Sequence, residues 1–338
     1  MPHLPREILF AILALAVPPS PCKDHDEWVN RQQTLSRCSL VHSTWTSFAQ
    51  ELLFAEHQLD SEDPHLEEKV VRGHAASGGS LKTKYLTIYT DFGEVTWIAP
   101  CELWKNVKHV VHYETETFLE TDPMRYAWFT RLEVLELHWD LLTFSNFDYS
   151  PLRFSTLRRL VLNLVGTDCK FSKCQTVFSP SSMPILSHLS LNVLSDEPDD
   201  LGNAFASLLP QITVLALSNE TPYNLEPAAY RGFNRLSRLA HLSINQVGDE
   251  NDILGEILTS NPGLQLESLH LRASILSTTP STLRLLVEVT KGQRENIEIA
   301  KIVLYGSKEE TGALVDLSEL AALEWRSGEP PFFEFDGR

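Results

Sequence analysis

Five of the chain's twelve histidines recur at matching places of an alternating pattern, and imidazole is the side chain best suited to proton transfer, metal ligation and pH-dependent recognition near neutral pH. The pattern is aliphatic-x-x-aliphatic-x-aliphatic, as in LEVLEL from residue 132 and LESLHL from residue 266. In a strand, the aliphatic side chains would enter a core and the alternate side chains would line the opposite face. Twenty-seven such alternate positions hold the five histidines, where an even distribution would place about one. These are His109, His138, His188, His241 and His270.

The surroundings of these histidines argue against metal or catalytic chemistry. No carboxylate or cysteine cluster completes a metal shell around them, and the close pair Cys169 and Cys174 has no second pair or histidine at ligand spacing. The sequence also contains no glycine-rich phosphate loop, nucleophile elbow or zinc signature. We therefore expect a protein that is not an enzyme and that needs no cofactor or metal.

The remaining chemistry is recognition of another protein. Aromatic, imidazole and guanidinium side chains on a sheet face can bind a protein partner, and histidine can make that binding sensitive to pH. A purely structural interpretation stays open, because an exposed sheet face favours short polar and aromatic residues in any case. The positions predicted to contact a protein substrate are Tyr85, Tyr89, His109, Tyr113, His138, Arg159, His188, His241, His270, Arg272 and Tyr305.

Seven copies of the aliphatic pattern supply the strands that would carry this face. Their central residues are separated by 25, 29, 26, 27, 27 and 33 residues, and two partial copies around Leu86 and Val110 extend the series at steps of 24 and 25. Such a period fits one strand and one return segment per unit, which predicts a solenoid with a parallel sheet. The central residues are Leu135, Leu160, Leu189, Leu215, Leu242, Leu269 and Ile302.

The later return segments have helical patterns, beginning near Asp199, Asn251 and Pro280, with the proline in a first-turn position. The earlier ones, such as GTDCKFSKCQTVFSPSSMP, are rich in serine, proline and aromatic residues and predict irregular loops. The expected fold class is therefore α/β, with an N-terminal helical domain followed by a curved solenoid whose parallel sheet lies on the concave face.

Residues 1–54 lack the repeat and are predicted to be helical. After a first helix and the proline-containing stretch VPPSPCKDHDEWVNRQQT, a second helical region is expected near Val29, and CSLVHSTWTSFAQELLF at 38–54 is predicted to form one amphipathic helix. The first helix, from Leu4 to Val17, places its aliphatic residues on one face: Leu4, Ile8, Ile12 and Leu15. The seam of the later helix is Cys38, Val41, Trp45, Phe48 and Leu52.

The domain organisation predicted from these patterns has four parts. They are a helical domain at 1–54, a linker at 55–80 that is first acidic and then rich in glycine and serine, a repeat array at 81–310, and a C-terminal cap or tail at 311–338. A helical unit of about fifty residues is marginally stable alone, so it is expected to lean on the first repeat or on another protein.

Composition narrows the class of partner and the compartment. The formal charge of −17, from 28 Lys plus Arg against 45 Asp plus Glu, argues against nucleic acid and anionic membranes as partners. Five scattered cysteines favour a reducing compartment, and we expect a cytoplasmic or nuclear protein. The apolar run ILFAILALAV at 8–17 is too short to span a bilayer, and a secreted repeat ectodomain whose signal peptide is this run is the alternative.

Two family resemblances follow from these motifs. The strand pattern, over residues 81–305, resembles a degenerate leucine-rich repeat array, although the asparagines Asn163, Asn192 and Asn245 lie two positions earlier than the signature asparagine after the strand. The segments LPREILFAIL and LSRCSLVHSTWTSFAQELLF, within residues 4–54, resemble an F-box. In this chain the connection between the first two helical segments is longer and more polar than is usual in that family.

The resemblance implies a substrate-recognition subunit of a Skp-cullin-F-box ubiquitin ligase. The N-terminal helices would dock on the Skp-family adaptor, and the concave repeat face would hold an unidentified protein substrate. The alternative is a leucine-rich-repeat interaction scaffold in which the F-box-like segment only caps the open end of the array. By motif position, the implied adaptor-binding residues are Leu4, Pro5, Ile8, Ile12, Leu35, Cys38, Val41 and Trp45.

Overall fold

The computed structural model describes residues 5–18, 22, 25–60, 72, 83–90, 104–114, 129–140, 153–165, 178–194, 201–219, 233–246, 253–272, 280–293, 297–306, 320, 323–327 and 330. The chain is α/β, with an N-terminal helical region followed by a parallel-sheet solenoid. It divides into two compact units, one of Met1–Tyr113 with Trp128–Leu132, the other of Glu114–Ala127 with Glu133–Arg338.

The first unit begins with three helices, α1 (Arg6–Leu15), α2 (His25–Val41) and α3 (Ser43–Leu53). Helix α3 packs against both of the others, because its apolar side chains meet the buried face of α1 and the inner face of α2. The core of this bundle is Leu9, Leu13, Phe48 and Ala49, and Cys38, Trp45 and Leu52 pack around it. Fully burying an aliphatic or aromatic side chain is worth about 1.5–3 kcal/mol, so this small cluster holds the three helices together.

The expectation of one continuous helix over 38–54 is wrong. The chain breaks at His42, whose carbonyl accepts the backbone N–H of Trp45 at 2.9 Å and that of Thr46 at 3.2 Å. The Thr46 hydroxyl also donates to the Ser39 carbonyl at 2.7 Å, across the break. Serine and threonine compete with helical hydrogen bonds in this way, so the run His42 to Thr46 favours a new helix start over continuation.

Three strands complete the described elements of the first unit, β1 (Glu56–Asp60), β2 (Tyr85–Thr90) and β3 (His109–Glu114). Strand β1 pairs in parallel with β2, from Glu56 opposite Tyr85 to Asp60 opposite Tyr89. It begins three residues after α3 ends and lies in the stretch that was predicted to be a linker. Helix and sheet are therefore joined without a spacer in this unit.

The second unit is a row of parallel strands. In chain order they are β4 (Val134–Asp140), β5 (Arg159–Val165), β6 (His188–Leu194), β7 (Val214–Asn219), β8 (His241–Gln246), β10 (Ser268–Arg272), β12 (Ile302–Tyr305) and β13 (Leu323–Arg326). Each pairs with the next, and β13 lies in the predicted C-terminal tail. A second, two-stranded sheet joins β9 (Gln265–Leu266) to β11 (Glu298–Ile299).

The register of this sheet confirms the repeat that the spacing predicts. The seven central aliphatic residues, from Leu135 to Ile302, lie opposite one another in successive strands, although the intervening segments differ in length. All seven are buried. A slip of one residue in any strand would turn its aliphatic side chains to the opposite face, which fixes the register.

The later return segments are helical, as expected. They contain α4 (Leu201–Phe205) with a following 3-10 turn (Leu209–Gln211), α5 (Ile253–Ser260) and α6 (Pro280–Thr290). Most of the two return segments predicted to be irregular, after β4 and β5, lies outside the described residues. Within the described ranges, no helix is long and apolar enough to cross a membrane.

Candidate functional site

Helix α1 carries two apolar faces, and only one of them is covered. Leu9, Leu13 and the following Val17 are buried, whereas Ile8 is 47% exposed, Ile12 42% and Leu15 88%. At 100° per residue, Ile8, Ile12 and Leu15 fall within one narrow stripe, well away from the buried face. The structure therefore confirms that these three residues share a face and leaves that face open in this chain; Leu4, predicted beside them, lies outside the described residues, and Pro5 is exposed.

The implied docking positions of the second helical region separate into exposed and packed residues. Val41 is 68% exposed and its neighbour Leu40 86%, at the C-terminal end of α2. Cys38 and Trp45 are half-buried and pack against the core of the bundle. Leu35 is fully buried inside it and is not part of an accessible surface. Because the chain breaks at His42, Val41 does not follow the seam that Trp45, Phe48 and Leu52 continue.

The connection between α1 and α2 is fixed by a buried charged pair. Residues 25–34 of the predicted insertion are helical, since α2 begins at His25. From this helix, the Arg31 Nε lies 3.7 Å from Glu56 Oε2, with both side chains almost completely buried. Glu56 Oε1 also accepts the backbone N–H of Cys22 at 2.8 Å, and an Arg31 guanidinium N–H donates to the Pro18 carbonyl. The insertion is thereby tied to the start of β1.

Burial and Glu56 of this pair keep the nearby thiol inactive, against the opposing charge of Arg31. Burial first, and then the negative charge of Glu56, raise the pKa of Cys22 to about 12. The thiol points its hydrogen at Glu56 Oε2, 3.6 Å away. A thiol with this pKa is protonated at neutral pH and is a poor nucleophile or metal ligand, so Cys22 is a structural residue.

The alternate positions of strands β4 to β13 line one face of the sheet, which we call the polar face, in three rows that follow the register. The first row is Val134, Arg159, His188, Val214, His241 and Ser268, followed by Lys301 just before β12. The middle row is Glu136, Val161, Ser190, Ala216, Ser243, His270, Val303 and Glu324. The last row is His138, Asn163, Asn192, Ser218, Asn245, Arg272, Tyr305 and Arg326.

The predicted substrate-contacting residues fall on this face as expected, but they are not equally accessible. The middle row from Val161 to Val303 is buried, and Tyr305 of the last row is buried too. Arg159, His188, His241 and Arg272 are half-buried. An approaching protein would meet the first row and the two ends of the face.

A hydrogen-bonded network crosses the C-terminal half of the polar face. The Ser268 hydroxyl is 2.9 Å from His241 Nδ1 and 3.0 Å from His270 Nε2, and His270 Nδ1 is 3.0 Å from the Tyr305 hydroxyl. His241 Nε2 also lies 3.6 Å from a Glu267 carboxylate oxygen. These contacts fix the orientation of both imidazoles, so the histidines of this half are held by neighbours on β10 and β12.

Charged groups beside that network set up a positive field. Glu324 accepts hydrogen bonds from both Lys301 and Arg326, the latter at 2.7 Å, and these bonds lower the pKa of Glu324 to about 2. Burial, and then Arg326, His241 and Lys301, lower the pKa of His270 to about 4. Farther along the face, burial followed by Arg159 and His241 lowers the pKa of His188. The imidazoles of His188 and His270 therefore stay neutral at pH 7.

The last row contains a ladder of amides that the sequence did not reveal. Asn192 Nδ2 donates to Asn163 Oδ1 at 3.0 Å, and Asn163 Nδ2 lies 3.0 Å from His138 Nδ1. The leucine-rich-repeat signature places an asparagine in the loop after each strand, whereas in this protein the asparagines lie inside the strands. The signal available in the sequence was its identical offset of three residues from the central aliphatic residue in three repeats.

In the first unit, aromatic pairs occupy the corresponding positions of β2 and β3. The ring of Tyr85 meets that of His109 at 6.0 Å in an edge arrangement, and Tyr89 stacks on Tyr113 with ring centroids 5.1 Å apart. All four were predicted as substrate-contacting residues, and all four are half-buried. Their mutual stacking accounts for part of their presence there without any ligand.

Among the described residues, no group of three or more histidine, cysteine or carboxylate side chains is placed to hold a metal ion. Cys169 and Cys174, considered above as half of a metal site, lie outside the described residues. No model of a known protein family matches this chain, and no curated protein is significantly similar to it.

Proposed function

We propose that this protein is a non-catalytic substrate-recognition subunit of a Skp-cullin-F-box ubiquitin ligase, with an F-box-like helical region and degenerate leucine-rich repeats. The observation that supports it best is the open apolar face of α1. Of the seven large hydrophobic residues exposed in the described part of the chain, six lie between residues 8 and 41. Such residues concentrated on one small helical region mark a protein-binding surface.

Helix-in-groove recognition explains why this face would bind an adaptor. Aliphatic anchors spaced at i, i+4 and i+7 on a helix can enter a hydrophobic groove, and a few of them supply most of the binding energy. Ile8, Ile12 and Leu15 have this spacing, and four of the F-box-like motif positions, Pro5, Ile8, Ile12 and Val41, are exposed. The chemistry of ubiquitin transfer would belong to other subunits, and this chain would supply proximity and orientation.

The adaptor surface is tested best with the exposed positions, because Trp45 packs on the bundle core and its removal would also unfold the helices. We expect Ile12→Glu with Val41→Glu to reduce capture of a purified Skp-family adaptor at least tenfold, since two aliphatic anchors that the adaptor groove would bury would be replaced by unpaired charges. Ile185→Glu, at an exposed isoleucine of the second unit, is the matched control. Equal capture by the two proteins, or none by the wild type, would contradict adaptor docking.

A second function has its own support in the first unit. The Ala55 carbonyl, two residues after α3 ends, accepts the backbone N–H groups of Lys84 and Tyr85 at 2.8 and 3.0 Å. The helices are thus continuous with the first strand pair, as expected for an N-terminal cap of a repeat-type interaction scaffold. On that alternative, deletion of residues 1–54 causes aggregation, while the wild type does not bind the adaptor.

A further inference from the structure

The polar face of the second unit differs in charge from the rest of the molecule. The chain has a formal charge of −17, yet the described side chains of this face include four cationic groups and two carboxylates. The cationic residues are Arg159, Arg272, Lys301 and Arg326, and the carboxylates are Glu136 and Glu324; a third carboxylate, Glu267 just before β10, lies 3.6 Å from His241. A cationic patch on a strongly acidic protein is a place where an anionic partner overcomes the general repulsion.

The cations at the C-terminal end exceed their local counter-ions. Lys301 and Arg326 both bind the single carboxylate of Glu324. These three side chains therefore carry a net charge of one positive unit. Their side chains are 42% and 48% exposed, which leaves room for a ligand carboxylate to join the cluster. Guanidinium and ammonium groups recognise carboxylates through charge-assisted hydrogen bonds.

Two imidazoles lie between this cluster and Arg159. His188 and His241 occupy the first row, one on each side of Val214. From Arg159 to Lys301 the row crosses five strand spacings, which at about 4.8 Å each makes about 24 Å, the length of about seven extended residues. The row is thus long enough for a short extended peptide, with cations at both ends and protonatable groups between them.

We propose that the first row of the polar face binds an acidic, carboxylate-rich segment of a partner protein, with its carboxylates at Arg159 and at the Lys301–Arg326 cluster. The inference deepens the proposed function by naming the class of substrate that the repeat face would take, and it rests on that function only in calling the partner a substrate. His188 lies in the field of Arg159 and His241, and His241 Nε2 lies 3.6 Å from a carboxylate oxygen of Glu267. Binding of an anion beside His188 favours protonation of that imidazole.

The test is the fluorescence anisotropy of a labelled ten-residue peptide of glutamate, aspartate and serine, titrated with the full-length chain. We expect saturable binding that weakens as salt is raised, and no binding of the same peptide with every carboxylate replaced by its amide. The triple variant Arg159→Gln, Lys301→Gln, Arg326→Gln should bind the acidic peptide at least tenfold more weakly. Arg159→Gln alone, which leaves the Glu324 cluster intact, should show a loss of about threefold.

A control variant has the same change of net charge, but its substitutions lie outside the polar face. Arg153, Arg235 and Arg238 are exposed and precede strands instead of lying on the polar face, and their triple glutamine variant should bind as the wild type does. Equal losses in the two triple variants, equal binding of the amide peptide, or no loss in Arg159→Gln would overturn the inference. Lowering the pH from 7.5 to 6.0 should strengthen binding about twofold, and an unchanged affinity overturns the role given to His188.

The outcome separates this inference from the proposed function. Adaptor capture depends on Ile12 and Val41, and the triple variant of the polar face should capture the adaptor as the wild type does. Capture of the adaptor without binding of the acidic peptide refutes only the inference about the substrate class. Binding of the peptide without capture of the adaptor refutes the ligase assignment and leaves an acidic-segment receptor.

Discussion

A single buried ion pair explains how the long connection between α1 and α2 is accommodated. Arg31 and Glu56 are almost completely buried and are joined to the backbone of Cys22 and Pro18. Removing two charges from water is costly, and the hydrogen bonds to the connection offset much of that cost. The pair therefore fixes the positions of Pro18 and Cys22 and adds little net free energy of folding.

Glu56→Gln should destabilise the first unit by about 3–5 kcal/mol, because it leaves the Arg31 guanidinium buried without its counter-ion. Urea unfolding followed by tryptophan fluorescence measures this loss, since Trp28, Trp45 and Trp104 belong to this unit.

Glu298→Gln, at an exposed position of β11, is the control and should change the free energy of unfolding by less than about 0.5 kcal/mol. Replacing both partners, with Arg31→Met and Glu56→Leu, should cost less than Glu56→Gln alone, because no buried charge then remains. A double variant that is less stable than the single one would contradict this account.

The sequence predicts only in part which residues of the candidate surfaces are accessible to a partner. Alternation in strands placed all predicted substrate-contacting residues of the second unit on one face, because a period of two is local. Burial of His270 and Tyr305 arises from contacts between strands about 35 residues apart, which no local pattern records. Likewise, Leu35 had the motif position of a docking residue, but packing of α2 on α3 buries it.

Neighbouring repeats are held together by one buried amide as well as by the strands. The Asn261 side chain, directly after α5, accepts the backbone N–H of Leu236 at 2.9 Å and donates to the carbonyls of Phe233 and Ile257. Phe233 and Leu236 belong to the preceding return segment. The end of one helix is thus attached to the turn before β8, and every hydrogen-bonding atom involved is paired.

Asn261→Ala should lower the free energy of unfolding by about 2–3 kcal/mol, because it leaves a buried N–H and two carbonyl groups with fewer partners. Hydrogen exchange measured by mass spectrometry should show the loss first as faster exchange at residues 233–239 and in α5. Asn234→Ala, one residue from the buried Phe233 but exposed, is the control and should leave exchange unchanged. A uniform change across all strands would argue against a local link.

The sequence predicts the helices and strands that a repeated local pattern specifies, and it does not predict the strands that depend on a single contact with a distant residue. The strands β4 to β8, β10 and β12 follow from their aliphatic spacing, and α5 and α6 from their helical periodicity. Strand β1 reads EHQLD and has no aliphatic pattern, because its first residue is a glutamate buried against Arg31. Strand β13 also lacks the aliphatic pattern, because Glu324 and Arg326 occupy two of its positions and form ion pairs, Glu324 with both Arg326 and Lys301.

The whole molecule combines a large negative charge with several imidazoles that folding keeps neutral. Burial lowers the pKa of His57 to about 4, and His138, His188 and His270 are shifted in the same direction. In the unfolded chain these groups regain a pKa near 6.5. Between these limits these imidazoles take up protons on unfolding, so their contribution to the free energy of unfolding decreases as the pH falls from about 6.5 towards 4.

The urea midpoint of the full-length protein should therefore fall steadily between pH 6.5 and 5.0, where most carboxylates are still ionised. His57 contributes a slope of about 1 kcal/mol per pH unit, because its ring is enclosed by Phe54, Trp104 and Thr83. A His57→Gln variant should be less stable at pH 7 but show a shallower decline. Relief of repulsion among the surplus carboxylates acts in the opposite sense as the pH falls. A midpoint that rises over this interval would mean that the net charge outweighs the buried histidines.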